Sequence, residues 1–151
     1  MPCILGNATL PKRTKKYMQM FEFIEKFAET IAEVEGFNLT QAQAVRTGTK
    51  WPTLAQRNHN PGNLRKWERR LNKEGFALFG STKEGFLALY AQIILNVLRG
   101  LTTYEFFKGK PGVYSGYAPA SDGNKPKVYA ETVAERLKID PNVELLKLIN
   151  G

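Results

Sequence analysis

One acidic side chain in this sequence is placed so that it could do acid–base chemistry. Tyr17, Met20, Phe21, Ile24, Phe27, Ala28, Ile31 and Ala32 recur at steps of three and four residues. That spacing predicts an amphipathic helix from Thr14 to Glu35, with Gly36 as its stop. At about 100° of rotation per residue, Glu35 falls in line with Tyr17, Phe21, Ile24, Ala28 and Ile31, whereas Glu22, Glu29 and Glu33 project to the far side. A carboxyl group among hydrophobic side chains loses hydration, which favours its protonated form, and a general acid working near neutral pH needs that form. An arbitrary glutamate at a helix end would simply face solvent, so the reading depends on a binding cleft beside it.

The donors for such a cleft lie in Arg57-Asn58-His59-Asn60-Pro61-Gly62-Asn63-Leu64-Arg65. Asparagine amides both donate and accept, matching sugar hydroxyl and acetamido groups, and arginine forks match carboxylates of a lactyl group or peptide stem. Arg57, Asn60, Asn63 and Arg65 are therefore candidate substrate-binding residues. Asn60-Pro61-Gly62 also makes a tight turn, and a rigid turn can present Asn63 and Arg65 to a ligand. His59, the one histidine, has no Ser, Cys or Asp in a triad motif with it and is expected to be a loop residue. The single cysteine, Cys3, has no Cys/His cluster nearby, so neither a disulfide scaffold nor a structural zinc site is expected, and no metal or cofactor is implied.

Residues 37–62 carry Gly48, Pro52, Pro61 and Gly62 without a sustained period, which predicts a long loop with one short helical turn. Asn63–Trp67 and Phe76–Phe79 predict a small β-hairpin. Ser81-Thr82-Lys83-Glu84 is a capping box before an apolar series from Phe86 to Leu98, predicting a central buried helix that ends at Gly100. Thr102 or Thr103 caps a short helix through Phe107, closed by Gly109, and a loop rich in Gly, Pro and Tyr follows. Pro126 opens a helix to Leu137, and Asp140-Pro141 opens a final one. The fold class is α+β, predominantly helical, with one small hairpin beside the cleft. A chain of 151 residues suits one domain, here residues 14–151 after an N-terminal extension of residues 1–13.

Four blocks in order resemble phage-associated lysozyme-like lytic transglycosylases and related virion peptidoglycan hydrolases. They are Ile31-Ala32-Glu33-Val34-Glu35-Gly36-Phe37, the 57–65 string, residues 76–89, and residues 116–137 beginning Gly116-Tyr117-Ala118-Pro119. The resemblance runs from about residue 28 to about residue 140. It implies a lysozyme-like fold, a catalytic glutamate at Glu35, and a glycan cleft lined by the 60–65 segment and the 116–119 loop, with Tyr117 and Asn124 as further candidate substrate-binding residues. The Glu-Ser dipeptide and Gly-Leu-Met-Gln block of better-known soluble transglycosylases are missing, so roles tied to them do not transfer. Of Trp51, Trp67, Tyr104, Tyr114 and Tyr117, which could stack on sugars, most are expected to serve the core, and Tyr117 is the one placed in the cleft.

Ordinary glycosidases use two carboxylates, whereas the resemblance implies one. In that scheme Glu35 protonates the glycosidic oxygen between MurNAc and GlcNAc, then takes the proton of the muramoyl 6-hydroxyl, giving a 1,6-anhydro product. Hydrolysis, the second reading, needs another acid, and Asp122 in Ser121-Asp122-Gly123-Asn124 is the candidate, although such an aspartate commonly caps a turn.

The apolar share of 42% and charged share of 24% suit a globular chain. The run from Phe86 to Leu98 is interrupted by Gln92 and Asn96 and is shorter than the ~20 residues a bilayer span needs. The formal charge of +8 implies an anionic partner, with the cell wall, nucleic acid and acidic membranes all eligible. A nucleic-acid module, motivated by Arg65, Lys66, Arg69, Arg70 and Lys73, is the rival class, but no DNA- or RNA-binding motif accompanies that cluster. A non-catalytic virion component is a third. The expected partner is peptidoglycan glycan, met by a monomer. With no export signal visible before Lys12-Arg13, synthesis in the cytoplasm and action in the wall are expected, the chain being released by a holin or carried on a virion.

Overall fold

The computed structural model describes residues 12–150 apart from 66, 68–70 and 73. Their helices are α1 (Lys12–Val34), α2 (Gln41–Thr47), α3 (Leu54–Arg57), α4 (Thr82–Leu98), α5 (Thr103–Lys108), α6 (Pro126–Leu137) and α7 (Leu145–Asn150), with a 3-10 turn at Ala120–Asp122. The chain is predominantly helical. Most of the expected N-terminal extension, Cys3, and four of the five residues in the basic cluster lie outside the described residues.

The apolar stripe of α1 buries from Ile24 onward, whereas Phe21 is 56% exposed. Ile24, Phe27, Ala28 and Ile31 meet Leu89, Ile93 and Val97 of α4, Phe106 and Phe107 of α5, Ala130 and Val133 of α6, and Leu145 and Ile149 of α7 in one cluster. Phe27 sits 5.0 Å from Phe106, centroid to centroid, and stacks on Phe107 at 6.3 Å. Each large side chain so buried contributes roughly 1.5–3 kcal/mol, and together they fix the angle at which α1 delivers Glu35.

α4 packs unusually close to the loop before it. A Cβ on Gly85 would fall 2.0 Å from the His59 carbonyl oxygen and 2.8 Å from Pro61 Cδ, so only glycine lets the 58–62 segment lie on this helix. No helix among the described residues is long and apolar enough to cross a membrane.

Three expectations about elements need correction. The small β-hairpin is not formed: among the described residues there are only isolated bridges, Leu71 pairing with Ala77. The Asn60 side chain takes the carbonyls of Leu64 and Ala77 that a ladder would pair, and Asn72 Oδ1 accepts from the N–H groups of Glu74 and Phe76 in a turn at that bridge. One bond links the two expected strands, from Ala77 N–H to the Leu64 carbonyl, while Phe79 N–H goes to that of Asn58. Second, the long loop holds two short helices, α2 and α3, each opened by a reciprocal Thr-x-x-Gln capping box, Thr40 with Gln43 and Thr53 with Gln56. Third, Asp140-Pro141 does not start the last helix. Asp140 Oδ1 accepts from the Asn142 N–H at 2.9 Å and makes a turn, and α7 begins at Leu145.

Candidate active site

Glu35 is the first residue past α1, still bonded by its N–H to the Ile31 carbonyl at 2.9 Å. Gly36 then turns left-handed (φ 80°), and Phe37 N–H returns to the Ala32 carbonyl. This turn is clamped from α3. Thr53 Oγ1 donates to the Gly36 carbonyl (3.1 Å), and Gln56 Nε2 donates to those of Phe37 (3.0 Å) and Leu39 (2.8 Å). The two residues that cap α3 thus also fix the backbone beside Glu35.

The carboxyl group is partly exposed and held at both oxygens. Asn63 Nδ2 donates to Oε1 at 2.9 Å, and the Tyr129 hydroxyl donates to Oε2 at 2.6 Å. Tyr129 is set by its ring, stacked 4.3 Å from Phe107. Asn63 is set by a left-handed backbone (φ 47°) in a loop that Tyr117 anchors, its hydroxyl donating to the Gly62 carbonyl. Gly62 is needed there, because a Cβ would lie 2.8 Å from Leu89 Cδ1.

Burial pushes the Tyr117 and Tyr129 phenols well above their ordinary value near 10, and the charge of Glu35 pushes both further. Both therefore remain protonated donors through the neutral range. Glu35 is presented as a carboxyl group with fixed orientation, flanked by one neutral amide and one neutral phenol.

Beside it runs a groove of about 590 Å³. Asn63, Arg65, Phe76, Gln92, Tyr114 and Tyr117 line it with Glu35, as do Asp122 and Asn124. Arg65 Nε lies 3.5 Å from Asp122 Oδ2, and its guanidinium sits 4.5 Å from the centre of the Phe76 ring. Gln92 Nε2 donates to the Tyr114 hydroxyl at 3.0 Å. Amide, hydroxyl, guanidinium and ring groups of this kind can grip a polyhydroxylated chain that carries acetamido or acidic substituents. Among the described residues no three His, Cys, Asp or Glu side chains converge as a metal site would require.

Of the residues singled out in the sequence, Glu35, Asn63, Arg65, Tyr117 and Asn124 meet at this groove, and so does Asp122. Two others do not line it. Asn60 is fully buried, its Nδ2 donating to the carbonyls of Leu64 (3.0 Å) and Ala77 (2.9 Å) and its Oδ1 accepting from Leu64 N–H (2.9 Å). That amide bonds the chain to itself. Arg57 turns away, donating to the Pro52 carbonyl at 2.7 Å with Glu74 Oε2 at 3.8 Å. His59 is exposed and outside the groove lining. Tyr129 escaped the sequence reading because its hydroxyl reaches Glu35 across 94 positions, which no local pattern encodes.

Comparison with protein-family models, with curated proteins and with solved structures gave no match for this chain.

Proposed function

We propose that this chain is a lysozyme-like enzyme cutting the MurNAc–GlcNAc glycosidic bond of peptidoglycan, and that it works as a lytic transglycosylase with Glu35 as its one acid/base. The observation that carries the reading is the Glu35 carboxyl group, oriented by Asn63 and Tyr129 and opening on a groove lined with donors and rings suited to sugars. Protonated Glu35 gives its proton to the glycosidic oxygen as the C1–O bond breaks. The resulting carboxylate then takes the proton of the muramoyl 6-hydroxyl while that oxygen bonds to C1, which closes the 1,6-anhydro ring and restores protonated Glu35. Its working place would be the bacterial wall.

Digestion of purified sacculi followed by mass spectrometry of the fragments tests this. Anhydromuramoyl ends are expected from the parent, and Glu35→Gln is expected to lower the rate about 10²- to 10⁴-fold, the usual worth of a positioned proton donor. Absence of any glycan cleavage by the parent would sink the reading.

Hydrolysis is favoured by one observation, that Asp122 lines the same groove. Against it stands the Arg65 guanidinium beside that carboxylate. Reducing ends, lost in Asp122→Asn, would favour the hydrolase.

A further inference from the structure

A second groove, of about 490 Å³, is lined by Tyr104, Lys108, Lys125, Pro126, Lys127 and Val128. Three of its six lining residues are lysines and none is acidic. Lys108, Lys125 and Lys127 make no ion pair among the described residues, and all three are exposed. Two acids lie close enough to act on Tyr104 of the lining, Glu131, which accepts from its hydroxyl at 3.2 Å, and Asp140. Between the lysines the floor is apolar, with Val128 56% exposed.

Three exposed lysines lining one groove make a cationic patch that attracts anions. Asn124 of the first groove and Lys125 of the second are adjacent in sequence.

We propose that the Lys108/Lys125/Lys127 groove is an accessory site for the carboxylates of an acidic glycan strand, separate from the groove of Glu35. This choice of occupant rests on the glycan-cleaving reading, and it assigns the peptide stems as the feature gripped. Lysine suits such a role, because a flexible point charge follows carboxylates whose positions vary along a polymer, where an arginine fork would demand one geometry.

The test uses the full chain carrying Glu35→Gln, so that pelleting with sacculi free of phosphate polymers reports binding and not digestion. The triple substitution Lys108→Gln, Lys125→Gln, Lys127→Gln is expected to weaken binding about tenfold at low salt, with the difference shrinking as salt is raised. On sacculi whose carboxylates have been converted to amides, the two proteins are expected to bind alike. Circular dichroism and thermal melting confirm that the triple variant is folded. Equal binding of both proteins to native sacculi overturns the accessory site, and so does a loss confined to double-stranded DNA, which would make the groove a nucleic-acid contact. A parent that cuts glycan while the lysines prove irrelevant refutes this site alone. Lysine-dependent binding by a parent that cuts nothing refutes the glycan-cleaving reading alone.

Discussion

Asn63 joins backbone conformation to chemistry at one position. A left-handed residue with a Cβ costs about 1–2 kcal/mol, from which glycine is exempt and which asparagine tolerates better than most. Asn63 accepts that conformation while its amide holds Glu35. Asn63→Gly should therefore keep stability within about 1 kcal/mol, whereas Asn63→Ala should lose about 1 kcal/mol more, as read from urea denaturation midpoints. Both should lower the rate of glycan clearing, because Oε1 loses its donor in each. Equal stability of the two variants would show that the left-handed turn does not persist in solution. Tyr129→Phe isolates the other donor, since the ring keeps its stacking on Phe107 while Oε2 loses a 2.6 Å bond. A hydrogen bond to a charged group is worth about 1.5–3 kcal/mol, so urea resistance should fall by up to about that amount, and turnover should fall because Oε2 is no longer held in place. Wild-type turnover in that variant would exclude the phenol from the reaction.

The position of the Asn63 loop is decided one element away, on α4. Alanine is a better helix former than glycine by about 1 kcal/mol, so propensity alone predicts that Gly85→Ala stabilises the protein. The clash decides the sign the other way: a methyl 2.0 Å from the His59 carbonyl must push the 58–62 segment off the helix. A net loss of about 1–3 kcal/mol is expected in urea melts, with glycan clearing reduced because Asn63 moves with that segment. A more stable and fully active Gly85→Ala would refute the packing. Elements whose information is local were legible in the sequence: the α1 stripe, the Ser81 cap of α4, and Pro126 opening α6 all appear where their spacing puts them. α2 and α3 were equally local, written in two Thr-x-x-Gln boxes, but glycines and prolines around them masked the signal. The failed hairpin is different, because Asn72 and Asn60 divert backbone groups through side-chain bonds that alternation of apolar residues does not reveal. The candidate site divides similarly. Glu35 and Asn63 followed from helix phase and loop composition, whereas Asn60 and Arg57 share the residue types of ligand-binding groups and face other partners.

At the scale of the whole molecule, the buried phenols and the net charge pull stability in opposite directions in alkali. Tyr117 and Tyr129 hold their protons well above pH 10 when folded, and release them near 10 when unfolded. The folded state therefore binds more protons than the unfolded one in that window, so the contribution of the phenols is whole below pH 10 and declines as pH rises through the folded values. The decline is at most about 1.4 kcal/mol per phenol for each pH unit above 10. Over the same range the lysines discharge, the formal +8 falls, and self-repulsion of the compact state eases. The two effects separate by subtraction. Replacing both tyrosines by phenylalanine removes the phenol contribution and leaves the lysines untouched. Relative to its own midpoint at pH 8, the parent should lose urea resistance between pH 10 and 11.5 faster than the Tyr117→Phe/Tyr129→Phe variant does. The variant begins less stable at pH 8, having lost the donors to Gly62 and Glu35, so the curves converge. Parallel curves would mean that these hydroxyls reach solvent in the folded protein, and that Glu35 is not flanked by a desolvated donor.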